Sequence, residues 1–424
     1  MVIRALLAIS VFAVCAQAHA QDRPQDIDEA AHERATTHAL RFDEALDVAT
    51  DSREIAGLAQ SQSRLRVARD HTNALPDDLQ VSVEAGAQLL PSTAFQGRIG
   101  VLQHFSTRGL GDAHRSVVDS ESMARAQELA FVRLNQRLRA GAAWIRLWVA
   151  EHELALLREE LVAAQRAMAS AERGLDLGEL LRADVLDATS YCEELRVMIL
   201  DTEASRTHAQ HDLERVLETE DVALTTAGDL PQRPMPDSEA RQALVARVRR
   251  DPELVALVAG ATAFRARAEQ ATAQNAMRIG LGAIVDRTTP SGIAVLAALA
   301  FTFPTTGRGA RESAMLNAEA DAALGRAETR ARQRAVDFEE VLHELDHSAL
   351  TRAQVAERWV PALALELAER ERLFAAGEST MLEVFRARRA SLTGRVRELA
   401  VHGDETLARQ IFIELDGALG APSQ

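Results

Sequence analysis

Apolar positions along this 424-residue chain fall into two periodicities, and the pair of patterns occurs twice. Leu79-Gln80-Val81-Ser82-Val83-Glu84-Ala85 alternates apolar and polar residues, the period of a half-buried strand. Pro91-Ser92-Thr93 breaks it, and Phe95 to Phe105 predicts a second strand. Arg278 to Val285 and Ile293 to Phe303 predict another pair, separated by Thr288-Thr289-Pro290-Ser291-Gly292 and ended by Pro304-Thr305-Thr306-Gly307. Helical segments at about 42–72 and 238–274 precede each pair. Long helical runs follow, from Gly111 to about Arg173 and from Arg308 to about Ala375, with no Gly-Pro cluster inside. Pro361 is the one internal breaker and predicts a kink. A helix of about sixty residues extends about 90 Å, too long for a compact domain.

The recurrence is a duplication at an offset of 199. Leu177-Gly178-Glu179 falls on Ala376-Gly377-Glu378, Asp184 on Glu383, Val185 on Val384, Leu186 on Phe385 and Ala188 on Ala387. Glu54-Ile55 falls on Glu253-Leu254. An offset that persists over such separations marks a repeat. The expected organisation is a leader at 1–20, a first repeat at 21–230 and a second at 231–424, each a helix, two strands and a long helical hairpin.

Composition narrows the class. Alanine is about a fifth of the chain, as in long packed helices, and all 48 basic residues are Arg. A net charge of -15 argues against nucleic acid, whose binding needs a basic surface. A mean hydropathy of -0.12 excludes a polytopic helical membrane protein. Arg4, the apolar run Ala5 to Val14 and Ala18-His19-Ala20 read as a cleavable export leader. Cys15 follows Val14, where a lipid-attachment motif would have a small residue, and Cys192 is left as a lone thiol, so no disulfide framework exists.

Four short strands cannot satisfy their own edges, either in a membrane or in water. Both the strands and the amphipathic helices find partners if several chains pool them into one barrel and one tube. Three chains would give twelve strands, within the range of outer-membrane barrels, although other copy numbers also close.

Several motifs in order carry a resemblance. They are Gly178-Glu179 with Asp184-Val185-Leu186, Gly377-Glu378 with Glu383-Val384-Phe385, and Arg41-Phe42-Asp43-Glu44-Ala45-Leu46 with its counterpart Arg250-Asp251-Pro252-Glu253-Leu254. Phe303-Pro304-Thr305-Thr306-Gly307-Arg308 and Leu415-Asp416-Gly417-Ala418-Leu419-Gly420 complete the set. The chain resembles the TolC family of outer-membrane efflux channels, and the Asp-Pro-Glu-Leu start leans toward its CzcC-like heavy-metal subfamily. The resemblance implies a mainly α fold with a small β-barrel portion: a duplicated repeat, a long periplasmic α-helical barrel and four barrel strands per chain, closed by trimerisation. It implies a homotrimer in outer-membrane lipid, partnered by a periplasmic adaptor protein and an inner-membrane pump, with no nucleic acid and no cofactor. It further implies adaptor contact at the hairpin turns, through Gly178, Glu179, Asp184, Gly377, Glu378 and Glu383. For the carboxylates, helix capping is the alternative.

The chain departs from the pattern in places. Tyr and Trp are missing from the strands, leaving Phe95, Phe105, Phe301 and Phe303 for an interfacial girdle, while Arg98 and His104 must face a lumen or rim. Leu180 stands where the family often has Ser or Thr; Ser379 keeps the pattern. His343-Glu344-Leu345-Asp346-His347 matches the zinc-protease motif H-E-x-x-H. A zinc enzyme needs a third ligand and a cleft, and a continuous helix carries the candidates Glu357 and Glu366 away from the pair. The 199 offset puts His343 on Trp144 and His347 on Trp148, a packing face. His208 and His211 read as a solvated face. The expectation is a non-enzymatic duct without catalytic residues or a metal site. A periplasmic helical scaffold and a secreted metalloprotease are the rival classes.

Overall fold

The computed structural model describes residues 37–72, 79–88, 94–106, 109–219, 222–288, 292–303 and 307–420. The leader, Cys15 and the breakers Pro91-Ser92-Thr93, Thr289-Pro290-Ser291 and Pro304-Thr305-Thr306 lie outside them. The chain runs β1 (His38–Arg41), α1 (Phe42–Val48), α2 (Arg53–Thr72), β2 (Leu79–Gln88), β3 (Ala94–Ser106), α3 (Leu110–Asp176) and α4 (Arg182–Leu217). It continues with β4 (Leu224–Ala227), α5 (Ser238–Ala246), α6 (Pro252–Gln274), β5 (Arg278–Thr288), β6 (Gly292–Thr302), α7 (Arg308–Gln354), α8 (Val360–Ala375) and α9 (Met381–Gly420). At 67 residues, α3 extends about 100 Å.

The segments expected as single helices at 42–72 and 238–274 are each broken. A 3₁₀ turn at Ala49–Asp51 and extended Ser52 separate α1 from α2. In the second half Asp251 is extended, its carboxylate accepts the Glu253 N–H at 2.9 Å, and Pro252 opens α6. A polar cap followed by a residue without a donor starts a new helix there.

The sheet is antiparallel in the order β2-β3-β5-β6. Register partners divide it into two unlike faces. Ile99 aligns with Val285 and Val295, Val101 with Ala283 and Ala297, and Phe105 with Ile279 and Phe301, a largely apolar face that Gln103 interrupts beside Leu281 and Leu299. Much of that face lies exposed in the single chain. The other face is mixed: Arg98, Gly100, Leu102 and His104, then Asp286, Ile284, Gly282 and Gly280, then Ala294, Leu296, Ala298 and Ala300. Arg98 and Asp286, direct partners, form an ion pair at 3.2 Å. Gly282 is required by close approach, since a methyl there would lie 2.0 Å from the Val101 carbonyl oxygen.

Helices stack in one layer on the same plan. Near the sheet the order is α2-α3-α6-α7; toward the far end it is α4-α3-α9, with α7 and α8 outermost. Between these levels β1 pairs in parallel with β4, a two-stranded clip the sequence reading did not anticipate. Trp144, fully buried, donates its Nε1–H to the Leu40 carbonyl at 2.8 Å, and Trp148 donates to the Gly228 carbonyl at 3.0 Å. Phe42 meets Trp144 edge-on at 5.3 Å.

Pro361 does interrupt its helix, through a single π turn at Val355–Trp359 that inserts one residue. This corrects the register of the repeat. The starts of α3 and α7, Leu110 and Arg308, are 198 residues apart, whereas Gly178 and Gly377 are 199 apart. Before the π turn the buried positions Ala140, Leu147 and Ala150 therefore match Phe338, Leu345 and Ser348. His343 and His347 fall on Ile145 and Val149, not on Trp144 and Trp148.

Candidate functional site at the hairpin tips

Both long hairpins end at the pole remote from the sheet. Gly178 and Gly377 each adopt φ +76°, left-handed backbone that favours glycine. The Glu179 N–H donates to the Gly174 carbonyl at 2.8 Å and the Gly178 N–H to the Leu175 carbonyl at 3.0 Å. Likewise the Glu378 N–H donates to the Leu373 carbonyl at 2.9 Å and the Gly377 N–H to the Phe374 carbonyl at 3.0 Å. These are Schellman caps, which satisfy the last carbonyls of α3 and α8 and reverse the chain.

The six residues expected at adaptor contact do gather at this pole, but they do different things. Asp184 accepts the Leu181 N–H at 2.9 Å, closing the first turn of α4. Glu383 accepts the Thr380 N–H at 3.2 Å and the Ser379 hydroxyl at 2.6 Å. Those bonds, the Ser379 hydroxyl first, hold its carboxyl below the usual range. The Glu383 N–H donates back to Thr380 Oγ1 at 3.4 Å, a reciprocal capping box. Glu179 and Glu378 sit exposed beside the glycines. Leu180 packs so closely over Gly174 that a methyl there would meet its Cδ1 at 2.8 Å. Sequence reasoning missed two tip residues, Leu177 and Leu181, each 73% exposed. Apolar residues flanking a glycine turn were the available signal.

A clasp above the tips joins the two hairpins. The Tyr191 hydroxyl donates to Glu160 at 3.2 Å, and Arg388 pairs with both Glu160, at 3.5 Å, and Glu371. Arg389 pairs with Glu194 and lies over the Tyr191 ring, whose other neighbour is Phe385 at 5.4 Å. Burial drives the Tyr191 hydroxyl well above its ordinary range, with Glu160 adding to it. No local motif marks this clasp, because partners such as Glu160 and Arg388 are far apart in sequence.

His343 and His347 lie exposed on one side of α7, rings nearly parallel with centroids 6.2 Å apart. Leu345 points into the core, and Asp346 pairs with Arg241 at 2.6 Å. Among the described residues, no group of three His, Cys, Asp or Glu side chains of one chain converges on a metal position.

No family model and no curated protein matches this sequence. Solved structures do match in three dimensions. A membrane protein from Pseudomonas aeruginosa superposes with a TM-score of 0.75 at 15% identity, covering 95% of this chain and 97% of that one. The outer-membrane channel OprN gives 0.74 at 16% identity over 90% of both chains. The CmeC outer membrane channel of Campylobacter jejuni gives 0.69 at 12% identity, over 90% of this chain and 87% of its own. Mostly long helices with a four-stranded sheet, this chain has the fold of these outer-membrane channels.

Proposed function

We propose that the chain is the outer-membrane duct of a tripartite efflux system. It would pass metal cations or small toxic compounds from an inner-membrane pump and a periplasmic adaptor to the exterior, without catalysing a reaction. Residues 21–230 and 231–424 are its two repeats, and the leader at 1–20 directs export. Three copies close the duct, with the sheets in the outer membrane and the helices in the periplasm.

The observation that carries this reading is the pairing of protomer edges. At each level one edge belongs to the first repeat and the other to the second: β2 and β6, α2 and α7, α4 and α7–α8. Apolar residues exposed on these edges are repeat counterparts of residues the other half buries. Met315 is 68% exposed and its counterpart Val117 7%; Leu186 is 59% exposed and its counterpart Phe385 4%. A neighbouring copy would cover them as the second repeat covers the first. Such head-to-tail contacts close into rings when the rotation closes. The apolar sheet face then meets lipid, and the face with Arg98, Asp286 and the small residues lines the lumen.

The tips are the remaining free ends, so adaptor contact belongs to the Gly178 and Gly377 turns. Glu179, Glu378, Leu177 and Leu181 are available for it, whereas Asp184 and Glu383 act through the caps they complete. Single cysteines along 293–301 test the barrel: Ile293, Val295, Leu299 and Phe301 should label from the lipid phase, and Ala294 and Ala298 from water. Uniform aqueous labelling would refute the barrel.

A further inference from the structure

The two histidine pairs left unused by the duct lie on α7 and α4, the edges that the ring reading would bring together between copies. The junction between the halves of one chain gives its register. Arg137 pairs with Glu414 at 2.8 Å, Trp148 meets His402 edge-on at 6.3 Å, and a methyl on Gly403 would touch Val149 at 2.7 Å and Ile145 at 3.5 Å. Ile145, Leu147 and Leu407 share one buried cluster, with Val149 packed against it.

The corresponding junction between copies replaces α3 by α7 and α9 by α4. Ile145 and Val149 become His343 and His347. Gly403 becomes Ala204, Leu407 becomes His208 and Gln410 becomes His211. All four histidines are exposed in the single chain, although their counterparts Ile145, Leu407 and Gln410 are buried. Ala204 is small enough to let the helices approach. His208 lies one turn from Ala204 on the same side of α4, level with His343, and His211 lies one further turn along.

We infer that His343 and His347, together with His208 of the partner subunit, form a shared site for a borderline divalent transition cation such as Zn²⁺. His211, one turn further along and held through Nδ1 to Glu214 at 2.9 Å, has its other ring nitrogen left as a further donor. The inference rests on the ring reading above. Paired imidazoles at i, i+4 present two nitrogens on one side of a helix, and a third from the facing helix completes the usual zinc donor set. The site bridges copies at the level of the β1–β4 clip, so metal would fasten the ring where the sequence places histidines instead of the Ile and Leu of the internal junction. It also accounts for the H-E-x-x-H match without a protease: the histidines bind across a seam, and Glu344 has no substrate to serve.

The test uses the full mature protein, purified in detergent and stripped of metal. Cross-linking first reads its oligomeric state, and Zn²⁺ titration then reads the site. The expected result is a metal-free oligomer that takes up about one Zn²⁺ per chain saturably. Binding should be lost both in His343→Ala/His347→Ala and in His208→Ala/His211→Ala. Cobalt in place of zinc should give a tetrahedral absorption spectrum that vanishes in the same two variants. Zinc binding that survives His208→Ala/His211→Ala would make the α7 pair a self-sufficient surface chelate and overturn the shared site. An assembled oligomer that binds no zinc would overturn the site and leave the duct standing. A metal-free protein that stays monomeric would remove both.

Discussion

Replacing Gly178 by Val tests the geometry of the tip and its isolation from the sheet. At φ +76° the backbone is left-handed, and an added Cβ would meet nothing within 4 Å. The cost is therefore conformational, not steric contact with neighbours. For a β-branched residue held there it should reach about 2 kcal/mol, the upper part of the range for left-handed L-residues. Because 1.4 kcal/mol is tenfold, the turn should open about thirty times more often. Hydrogen exchange reads this directly at the Glu179 and Leu180 amides, which donate to the Gly174 carbonyl at 2.8 and 3.2 Å. Both should exchange about thirtyfold faster, while the amides of β5 and β6, at the far end of about 100 Å of helix, stay unchanged. Gly178→Asn should cost much less, since Asn visits this region. Gly377→Val should behave like Gly178→Val, and the double Val variant should fail in export while keeping its assembly. If Asn and Val were equally disruptive, or if the strand amides responded too, the turn would not be the local, φ-controlled element described.

Other perturbations separate packing from polar contributions. Trp144→Ala should lower stability by about 3–5 kcal/mol in thermal or denaturant unfolding, and Trp144→Phe by about 1–2, because the ring against Phe42 survives while the Leu40 carbonyl loses its donor. Asp251 is fully buried against Arg334 at 2.6 Å, so Asp251→Ala should cost about 3–5 kcal/mol and fray the start of α6, seen as exchange at Glu253. His402 is held below its ordinary pKa by burial and then by Arg352, with Arg409 acting the same way and Glu405 and Asp229 opposing. Its neutral form is the folded one, so its contribution is intact above about pH 6.5 and is lost as pH falls below that value. His402→Gln should flatten that part of the stability profile.

Much of this architecture was legible because its signals are local or periodic. Strand alternation and the flanking breakers located all four sheet strands, with ends within about three residues. The repeated Gly-Glu turns located both tips, since a left-handed residue after a helix selects glycine whatever surrounds it. The breaks at Ser52 and Asp251 were missed because helical composition continues through them, even though Asp251-Pro252 is a start signal in its own right. The β1–β4 clip was invisible: four residues such as His38 to Arg41 carry no periodicity, and their partner lies across the whole first hairpin. The register slip at the π turn escaped for a related reason. A single inserted residue leaves the motif spacing at the tip intact and shifts only the positions before Pro361. For the tip carboxylates, composition could not separate caps from contacts. Asp184 and Glu383 are distinguished from Glu179 and Glu378 only by which backbone N–H each one reaches.

Membrane fractionation combined with cross-linking of the mature protein bears most directly on the central claim. The account predicts that the chain is recovered in the outer membrane and cross-links to a trimer through cysteines introduced at Met315 or Val336 on one edge and at Leu186, Val197 or Leu200 on the other. Recovery as a soluble periplasmic monomer would contradict it.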